Sequence, residues 1–553
     1  MSVLQGPGAG LIRCVLCWPV RVQRFACKKA PFPTSLNPID ELDVSYSNLF
    51  AMSDIQSFRQ AVEAFIAARG WTATRFGRSV AGDPLFVFDL REGREPRSDT
   101  RARILKAMAE YGEAEAEPPL RIGVAGLGNV GATLVRILQK DAEELTKKLG
   151  RRLQVTAVAA RSRSRDRGID LAGVDWFDDP VALARSENID LFVELIGGED
   201  GPAYAAIKAA LEMGRPVVTA NKALLARHGV ALAKIAEDSR TQLGFEAAVA
   251  GGIPVIKTLR EGLGSARIAR VYGIMNGTCN YILSRMGTEG ISFADCLRDA
   301  QALGYAEADP TFDVEGFDTA HKLAILASLC FSCEIAPDEI SVEGITNISQ
   351  ADIKVASDLG YKIKLLGIAQ RSPEGIEQRV HPTLVPKTAA VAGVDGVLNA
   401  VVLETDHVHE LMLAGPGAGG PPTASSVLSD ILDIARGTKV PPLGVPSQEL
   451  TPYKQAPMRA HKGGYYIRLN AKDVPGALAA IASRMGEHGI SLESVIQRPD
   501  LRVIDPATEG MQTRTVVLLT QETLEATVRE TLAQIASDGF IVGKPQLIRI
   551  ENF

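Results

Sequence analysis

The sequence predicts an α/β protein that contains a doubly wound parallel sheet and ends in a smaller domain of mixed strands and helices. Three observations support this fold class. Between residues 118 and 251, short apolar runs alternate with helical stretches, which is typical of parallel sheets whose strands are joined by helices. From residue 461 onward the apolar periodicities follow the order βαββαβ. At 553 residues the chain is also too long for a single hydrophobic core.

Composition is that of a globular protein and argues against several classes of function. The chain is 46% hydrophobic and 23% charged, with a formal net charge of −6. No basic stripe with interleaved aromatic side chains occurs, so a nucleic-acid-binding surface is not expected. No window holds the roughly 20 apolar residues of a membrane helix. Seven cysteines in so long a chain do not form a disulfide framework, which favours a reducing, cytoplasmic location.

The first 117 residues give weaker signals. Residues 1–50 keep neither a helical nor a strand period, and we expect them to be disordered. An organellar transit peptide and a translation start at Met52 are open alternatives. Residues 51–117 are predicted to form a small accessory α/β extension, in which a strand at 84–90 lies between two helices and an acidic linker follows.

A glycine-rich turn after the first strand of the doubly wound domain predicts a dinucleotide site. The turn reads GLGNVG and leads into an amphipathic helix. Its first glycine permits a tight turn, its second lets backbone approach a pyrophosphate, and its third lets helix pack on strand. The helix start offers N–H groups and the positive end of its dipole to the phosphates. We therefore expect a Rossmann-type NAD(P)-binding domain at 118–251, with the cofactor bound by Gly126, Gly128, Asn129, Val130 and Gly131.

Two positions at the carboxyl edge of this sheet refine the prediction. After the second strand, where NAD-binding chains usually carry an acidic residue, this chain has Arg161. An arginine there suits a 2′-phosphate, so NADP is preferred to NAD; the alternative is a solvated basic loop. Asn221 and Lys222 follow another strand at the same edge. They either reach bound oxygen atoms or form only a helix cap and a surface lysine.

The segment Gly304–Ala327 carries the charge pattern most indicative of catalysis. A polar turn with Glu307 leads into a helix whose first turns hold Asp318 and Lys322, before an apolar run. The spacing of four residues places the carboxylate and the ammonium on one face of the helix. Charges are rarely buried without a partner or a function. The alternative is an ion pair that serves only structure.

The chain resembles the homoserine dehydrogenases over roughly residues 120–439. The resemblance implies the reversible reduction of L-aspartate 4-semialdehyde to L-homoserine with NAD(P)H, a step in threonine, methionine and isoleucine biosynthesis. The segments that carry it, in order, are GLGNVG, TANKALLA, EAAVAGGIP, GIMNGTCNYIL, GYAEADPTFDVEGFDTAHKLAILA and DLGYKIKLLGIA.

The resemblance also implies roles for individual residues. Lys322 would be the general acid/base, and Lys222 a second lysine at the reacting oxygen and the nicotinamide. Glu307 and Asp318 would hold the substrate amino group, while Asp309 and Asp313 receive no role. An alkoxide formed from an aldehyde needs a proton donor and nearby positive charge, and lysine supplies both. The other implied residues are Gly304 and Gly419 at the cofactor, and Glu246, Val249, Gly251 and Ile253 around a monovalent cation such as Na⁺.

Two neighbouring residues are expected to pack and not to react. His321 is turned by about 100° from Lys322 on an ideal helix. Cys279 would be the nucleophile of a phosphorylating semialdehyde dehydrogenase, the first alternative activity, but no histidine base adjoins it in sequence. The second alternative is a nucleotide sensor without catalysis, which the retained lysines and carboxylates disfavour.

The remaining chain is expected to complete the enzyme and to regulate it. The turn Asp473-Val-Pro-Gly476 and the βαββαβ pattern resemble an ACT domain, which implies feedback by L-threonine. An ACT domain kept only for oligomerisation is the alternative. The resemblance to the homoserine dehydrogenases also implies an α+β substrate domain whose strands pair subunits, so a homodimer or homotetramer is expected. The domains that follow are a catalytic and dimerisation domain at 252–413, a return to the nucleotide domain at 414–440, a linker at 441–460 and the ACT domain at 461–553.

Overall fold

The computed structural model describes residues 55–69, 71–112, 117–456, 462–498 and 512–551, and the chain divides after Glu115 into two compact units. The predictions for residues 1–50 and for a start at Met52 lie outside these ranges. No helix within the described ranges is both long enough and apolar enough to cross a bilayer.

All regular secondary structure among the described residues of the first unit is helical. Its core contains Phe58, Phe76 and Phe86, and the rings of Phe58 and Phe86 meet edge to face with centroids 6.5 Å apart. A single π-helical turn at Gly77–Ala81 follows the second helix. The four α-helices are α1 (Ile55–Arg69), α2 (Ala73–Phe76), α3 (Phe86–Arg91) and α4 (Ser98–Gly112).

The predicted strand at 84–90 is wrong, and with it the description of this extension as α/β. Those residues form α3, which buries Phe86, Val87 and Leu90 and leaves 41% of Phe88 exposed. A strand would have placed residues 86, 88 and 90 on one face, whereas a helix groups 86, 87 and 90. A short apolar run does not distinguish the two patterns by itself. The two flanking helices are confirmed as α1 and α4.

The second unit begins with a six-stranded parallel sheet, as predicted. Helices lie between its strands, and the strand order β3-β2-β1-β4-β5-β6 is that of a doubly wound dinucleotide-binding fold. The elements are β1 (Leu120–Ala125), α5 (Asn129–Lys140), α6 (Ala142–Leu149), β2 (Leu153–Ala159), β3 (Asp175–Phe177), α7 (Pro180–Arg185), β4 (Leu191–Glu194), α8 (Pro202–Glu212), β5 (Val217–Thr219), α9 (Lys222–Asp238) and β6 (Leu243–Gly244).

The sixth strand is shorter than its apolar sequence suggests. After β6 the chain enters a 3₁₀ turn at Glu246–Ala248. The backbone N–H of Glu246 donates to Oδ2 of Asp430 at 2.8 Å, so a buried side chain from far along the sequence ends the strand.

A mixed α and β domain follows, built on five long antiparallel strands. The chain then returns to the nucleotide-binding domain through a long helix, whose Val427 and Ile431 belong to the same buried apolar cluster as Ile122 of β1. The elements are α10 (Val255–Lys257), β7 (Ile268–Ile274), α11 (Gly277–Glu289), α12 (Phe293–Ala302), α13 (Thr311–Val314), α14 (Phe317–Phe331), β8 (Ser341–Val342), α15 (Gln350–Asp358), β9 (Tyr361–Ser372), β10 (Gly375–Pro386), β11 (Leu398–Thr405), β12 (His409–Pro416) and α16 (Gly420–Ala435).

The C-terminal domain has the predicted βαββαβ order. Its four main strands lie in the order fourth, first, third, second, which is the arrangement of a ferredoxin-like sheet. The elements are β13 (Lys462–Lys472), α17 (Ala477–Glu487), β14 (Leu492–Gln497), β15 (Thr513–Thr520), the short β16 (Thr523–Leu524), α18 (Glu525–Ser537) and β17 (Ile541–Ile550).

The C-terminal sheet is continuous with the sheet of the preceding domain. Strand β17 pairs in parallel with β10, with Thr383 opposite Arg549, so one sheet runs β12-β11-β7-β9-β10-β17-β13-β15-β14. Glu551, just beyond β17, accepts from the buried guanidinium of Arg379 at 2.6 Å and from that of Arg270 at 2.7 Å. Backbone pairing and buried charge therefore fasten the two domains together.

We expect Glu551→Ala to lower the midpoint of urea unfolding, measured by circular dichroism. It removes a carboxylate shared by the buried guanidinium of Arg379 and the partly buried guanidinium of Arg270, and breaking one side of a buried ion pair costs about 3 kcal/mol. The control is Glu522→Ala, because Glu522 pairs with Lys462 at 3.0 Å while both side chains are more than half exposed. Equal urea midpoints for the two variants would contradict a stabilising role for the contacts of Glu551 with Arg379 and Arg270.

Candidate active site

The glycine-rich turn has the geometry that its sequence predicts. Gly126 has a φ of +99°, and a Cβ there would lie 2.3 Å from the carbonyl oxygen of Leu195. A Cβ on Gly131 would lie 1.9 Å from the carbonyl oxygen of Gly126, so helix α5 packs directly on the turn. Space is open above Gly128, where a Cβ would meet nothing within 4 Å. The turn is closed towards the protein and open on the side where a pyrophosphate would approach.

A second glycine loop, residues 416–419, lies next to the GLGNVG turn. A Cβ on Gly420 would lie 2.7 Å from the side-chain oxygen of Asn129, which places the start of α16 beside the start of α5. Gly419, with a φ of +106°, is the residue before α16. Two helix N-termini are thus brought together, and Asn129, Val130 and Gly419 lie where they meet.

The loop after β2 holds four arginines, Arg161, Arg163, Arg165 and Arg167. Arg161 is exposed just beyond the strand. Arg167 was not identified from the sequence, and no motif marks it. Its guanidinium donates to the carbonyl oxygens of Leu127 at 3.1 Å and Ser162 at 2.7 Å, and lies over the Trp176 ring. Arg167 therefore ties the loop after β2 to the glycine-rich turn.

A buried carboxylate fixes the backbone that carries Lys222. Glu194, at the end of β4, accepts from the hydroxyl of Thr219 at 2.6 Å. That hydroxyl accepts from the backbone N–H of Asn221 at 3.0 Å, and the Asn221 side chain caps α9 by accepting from Leu224 N at 3.2 Å. Lys222 is the first residue of α9, so its position at the sheet edge is set by these bonds.

The helix prediction for the charged segment is confirmed, and its charges lie inside the protein. Asp318 is 5% exposed and Lys322 is 8% exposed. The Nζ of Lys322 lies 2.7 Å from Oδ2 of Asp318, and the Nζ of Lys222 lies 3.2 Å from Oδ1. The side chain of Lys222 is 34% exposed. One buried carboxylate is therefore shared by an enclosed ammonium and by one that reaches solvent.

Burial and charge act on these three groups in different directions. Burial alone would raise the pKa of Asp318, but the adjacent charges of Lys322 and Lys222 hold it well below its usual range. The charge of Asp318 raises the pKa of Lys222. Burial lowers the pKa of Lys322, although Asp318 opposes the shift. Lys322 is thus the lysine that gives up a proton more readily.

Asn276 brings a further carboxylate into the site. Its Nδ2 donates to Oδ2 of Asp318 at 2.9 Å and to Oδ1 of Asp313 at 2.8 Å. Burial and the charge of Asp318 raise the pKa of Asp313. The sequence reading gave Asp313 no role, because nothing in its spacing shows that Asn276 joins it to Asp318. Asp309 does lie outside the cluster, where it accepts from Thr311 N at 3.1 Å.

Glu307 and Gly304 lie on the turn between α12 and α13. The Glu307 side chain is exposed, and its charge contributes to the raised pKa of Lys222. Gly304, with a φ of +75°, ends the preceding helix. The hydroxyl of Thr278 donates to the carbonyl of Tyr305 at 2.7 Å, which ties this turn to the start of α11.

His321 and Cys279 have the surroundings of packing residues. The His321 ring packs edge-on against Phe312 with centroids 5.4 Å apart, and burial lowers the pKa of His321. Cys279 is fully buried, and burial raises the pKa of its thiol well above the usual value. A thiol in that state is not an activated nucleophile.

The residues expected to bind a cation lie on and around the turn at residues 246–253, which contacts the second glycine loop. The Glu246 carboxylate accepts from the backbone N–H groups of Ile256 at 2.8 Å and Lys257 at 2.7 Å. Val249, Gly251 and Ile253 lie on the intervening turn, where Gly251 has a φ of +45°. Among the described residues no group of three or more His, Cys, Asp or Glu side chains converges on a metal position. A cation held here would therefore depend mainly on carbonyl oxygens.

Three family models match separate parts of the chain. The model described as "Homoserine dehydrogenase, NAD binding domain" matches residues 126–246, and the model described as "Homoserine dehydrogenase" matches residues 254–432. The model described as "ACT domain" matches residues 465–536.

Curated relatives and solved structures agree with these matches. Homoserine dehydrogenases of Neisseria gonorrhoeae and Pseudomonas aeruginosa are each 42% identical to this chain, over 78% of it and 99% of their own length. The crystal structure of a homoserine dehydrogenase from Thiobacillus denitrificans superposes with a TM-score of 0.72 at 40% identity, covering 78% of this chain and 98% of that one. A hyperthermophilic archaeal homoserine dehydrogenase in complex with NADPH covers 58% of this chain and 99% of its own, with a TM-score of 0.50 at 27% identity. This chain belongs to the homoserine dehydrogenase family, and it is an oxidoreductase with a nucleotide-binding domain and a C-terminal ACT domain.

Proposed function

We propose that the cluster of Asp318, Lys322 and Lys222 is the centre at which this chain interconverts L-aspartate 4-semialdehyde and L-homoserine. The observation that carries the proposal is the single buried carboxylate placed between two lysines from different domains. When bound, the nicotinamide cofactor supplies the hydride for aldehyde reduction and accepts it in the reverse direction.

Lys322 is the general acid/base. Its ammonium uses two of its three N–H donors, on Asp318 and on the carbonyl oxygen of Met275 at 2.6 Å. The third donor is left for the substrate oxygen, which takes a proton as the aldehyde is reduced and returns it when homoserine is oxidised. Lys222, whose pKa is raised, stays charged and stabilises the developing alkoxide.

The carboxylates hold the substrate amino group. The charges of Asp318, Asp313 and Glu307 all raise the pKa of Lys222, so the three carboxylates lie near its ammonium. An α-ammonium group needs such partners when it leaves water. Asp318 thus serves both the substrate and the catalytic lysine.

The cofactor is NADP in preference to NAD. Two of the four arginines after β2 support this preference, because Arg161 is exposed there and Arg167 is anchored beside the glycine-rich turn. Both suit a 2′-phosphate. Equal kcat/KM for NADP and NAD in homoserine oxidation would refute the preference. The residues that line the cofactor are Gly126, Gly128, Asn129, Val130, Gly131, Arg161, Lys222, Gly304 and Gly419.

A monovalent cation such as Na⁺ binds at Glu246 and at the backbone of Val249, Gly251 and Ile253. Burial and the neighbouring Asp430 raise the pKa of Glu246 to about 7. A cation would favour the ionised carboxylate and order the turn, whose Gly252 N–H donates to the carbonyl of Pro416 in the second glycine loop at 3.0 Å. At a pH above neutral, the midpoint of thermal unfolding should rise when NaCl replaces choline chloride. An unchanged midpoint would contradict this site.

The ACT domain binds L-threonine as a feedback inhibitor, and the chain acts as a homodimer or homotetramer in a reducing cytoplasm. The β10–β17 pairing supports a regulatory role, since it joins the ACT sheet to the sheet of the substrate domain. If millimolar threonine left the activity unchanged, feedback inhibition would be refuted and the ACT domain would serve oligomerisation only. The boundaries proposed are 118–251 with 414–440 for the nucleotide domain, 252–413 for the substrate domain, 441–460 for the linker and 461–553 for the ACT domain.

We expect Lys322→Ala to lower kcat for homoserine oxidation by a factor on the order of 10³, because the proton acceptor is lost. Binding of the cofactor, followed by NADPH fluorescence, should be retained. Lys234→Ala is the control, since Lys234 lies on α9 with 67% of its side chain exposed. An active Lys322→Ala enzyme would refute the assignment.

The pH profile of Asp318→Asn should move in a defined direction. Homoserine oxidation needs neutral Lys322, so activity is lost as pH falls through the pKa of Lys322. Burial lowers that pKa and the Asp318 charge opposes the lowering, so removing the charge lowers it further. The acid limb of kcat/KM should therefore shift to lower pH while KM for homoserine rises. Asp309→Asn is the matched control and should leave the limb in place; a shift to higher pH in Asp318→Asn would contradict the scheme.

A further inference from the structure

We propose that Asn399 is a positioning residue that couples the second glycine loop, residues 416–419, to the proton-transferring Lys322. The inference rests on the proposed function. It adds the residue that keeps the loop proposed to bind the cofactor and the general acid/base Lys322 in fixed positions relative to each other.

The first link is the backbone carbonyl of Met275. It accepts from Nζ of Lys322 at 2.6 Å and from Nδ2 of Asn399 at 3.0 Å. A carbonyl oxygen has two lone pairs, so the two donors share it without excluding each other. The amide of Asn399 can face this carbonyl only with its NH₂ group, since its own oxygen would meet an acceptor. Asn399 therefore fixes the carbonyl that in turn fixes Lys322.

The second link is the glycine loop itself. A Cβ on Gly417 would lie 2.0 Å from Cγ of Asn399 and 2.1 Å from its Nδ2, so the loop backbone rests directly on the amide. The loop also packs against the turn at residues 249–253, which is proposed to bind the cation. A Cβ on Gly251 of that turn would lie 2.3 Å from the carbonyl oxygen of Gly417. Any inward movement of the loop must displace Asn399.

The backbone of Asn399 is held rigidly enough to transmit this contact. In the strand pairing, Asn399 lies opposite Gly415 of β12, and its neighbour Ala400 lies opposite Ile274 of β7. The side chain, 1% exposed, is enclosed between the loop and the end of β7. It can neither rotate into solvent nor follow the loop outward.

The chemistry of the side chain points to function more than to stability. Its Oδ1 is buried and has no hydrogen-bond partner among the described residues. Burying an unpaired acceptor is unfavourable, and a leucine of similar size at this position would avoid that cost. What leucine cannot supply is the N–H donated to Met275.

The test compares Asn399→Leu with Asn280→Leu in homoserine oxidation. Asn399→Leu keeps the bulk under the loop and removes the donor, so kcat should fall roughly ten- to hundredfold, as expected for a misplaced catalytic group. KM for homoserine and the Kd of NADPH should stay within about twofold, since the groups proposed to bind them are untouched. Asn280 is equally buried and donates to the carbonyl of Leu398 at 3.1 Å, next to Asn399. Its variant should lose thermal stability and keep kcat.

A double-mutant cycle tests the contact with the loop. Gly417→Ala should lower kcat in the parent enzyme by displacing Asn399, and should lower it much less in Asn399→Ala, which leaves room for the new methyl group. Additive effects, a parental kcat in Asn399→Leu, or an equal loss of kcat in Asn280→Leu would each overturn the positioning role. Activity retained in Lys322→Ala would instead overturn the proposed function.

Discussion

The negative charge of Asp318 is the constraint on which the centre of the molecule depends. A carboxylate so deeply buried stays ionised only because Lys322 and Lys222 lie against it and Asn276 donates to it. These groups come from helix α14, from the edge of the parallel sheet and from the start of α11. Leaving one buried charge of such a group unpaired costs about 3–5 kcal/mol, a large part of the 5–15 kcal/mol that typically holds a domain folded. Assembly of the site and docking of the two domains are therefore one energetic event.

The same carboxylate gives two lysines different properties. Lys222 keeps access to solvent and gains an anion, so its pKa rises and it remains a permanent positive charge. Lys322 is largely withdrawn from solvent, and the effect of burial on its pKa outweighs that of the same anion. A permanent charge and a transferable proton are the two requirements of an aldehyde–alcohol interconversion. In the proposed reaction, depth below the surface, and not residue type, is what gives the two lysines different roles.

Sequence reasoning reached the parts of this site that are encoded locally. The GLGNVG turn and the four-residue spacing of Asp318 and Lys322 each lie within one element, and the structure has them as predicted. Residues that act across elements were missed, because their partners lie far away in the sequence: Asp313 through Asn276, Arg167 through Leu127, and Asn399 through Met275. The error at α3 has another cause, since a short apolar run fits a strand as well as a helix until packing selects one face.

Strand β17 fills an interior position of a sheet whose neighbouring strand β10 is made much earlier. On the ribosome, the part of β10 around Thr383 must wait for residues near Arg549, and Arg379 must wait for Glu551. An open strand edge is a template for pairing with other chains, and contacts of such long sequence separation form slowly. A C-terminal domain whose sheet continues that of the preceding domain thus leaves an open edge on β10 until the residues around Arg549 have been synthesised.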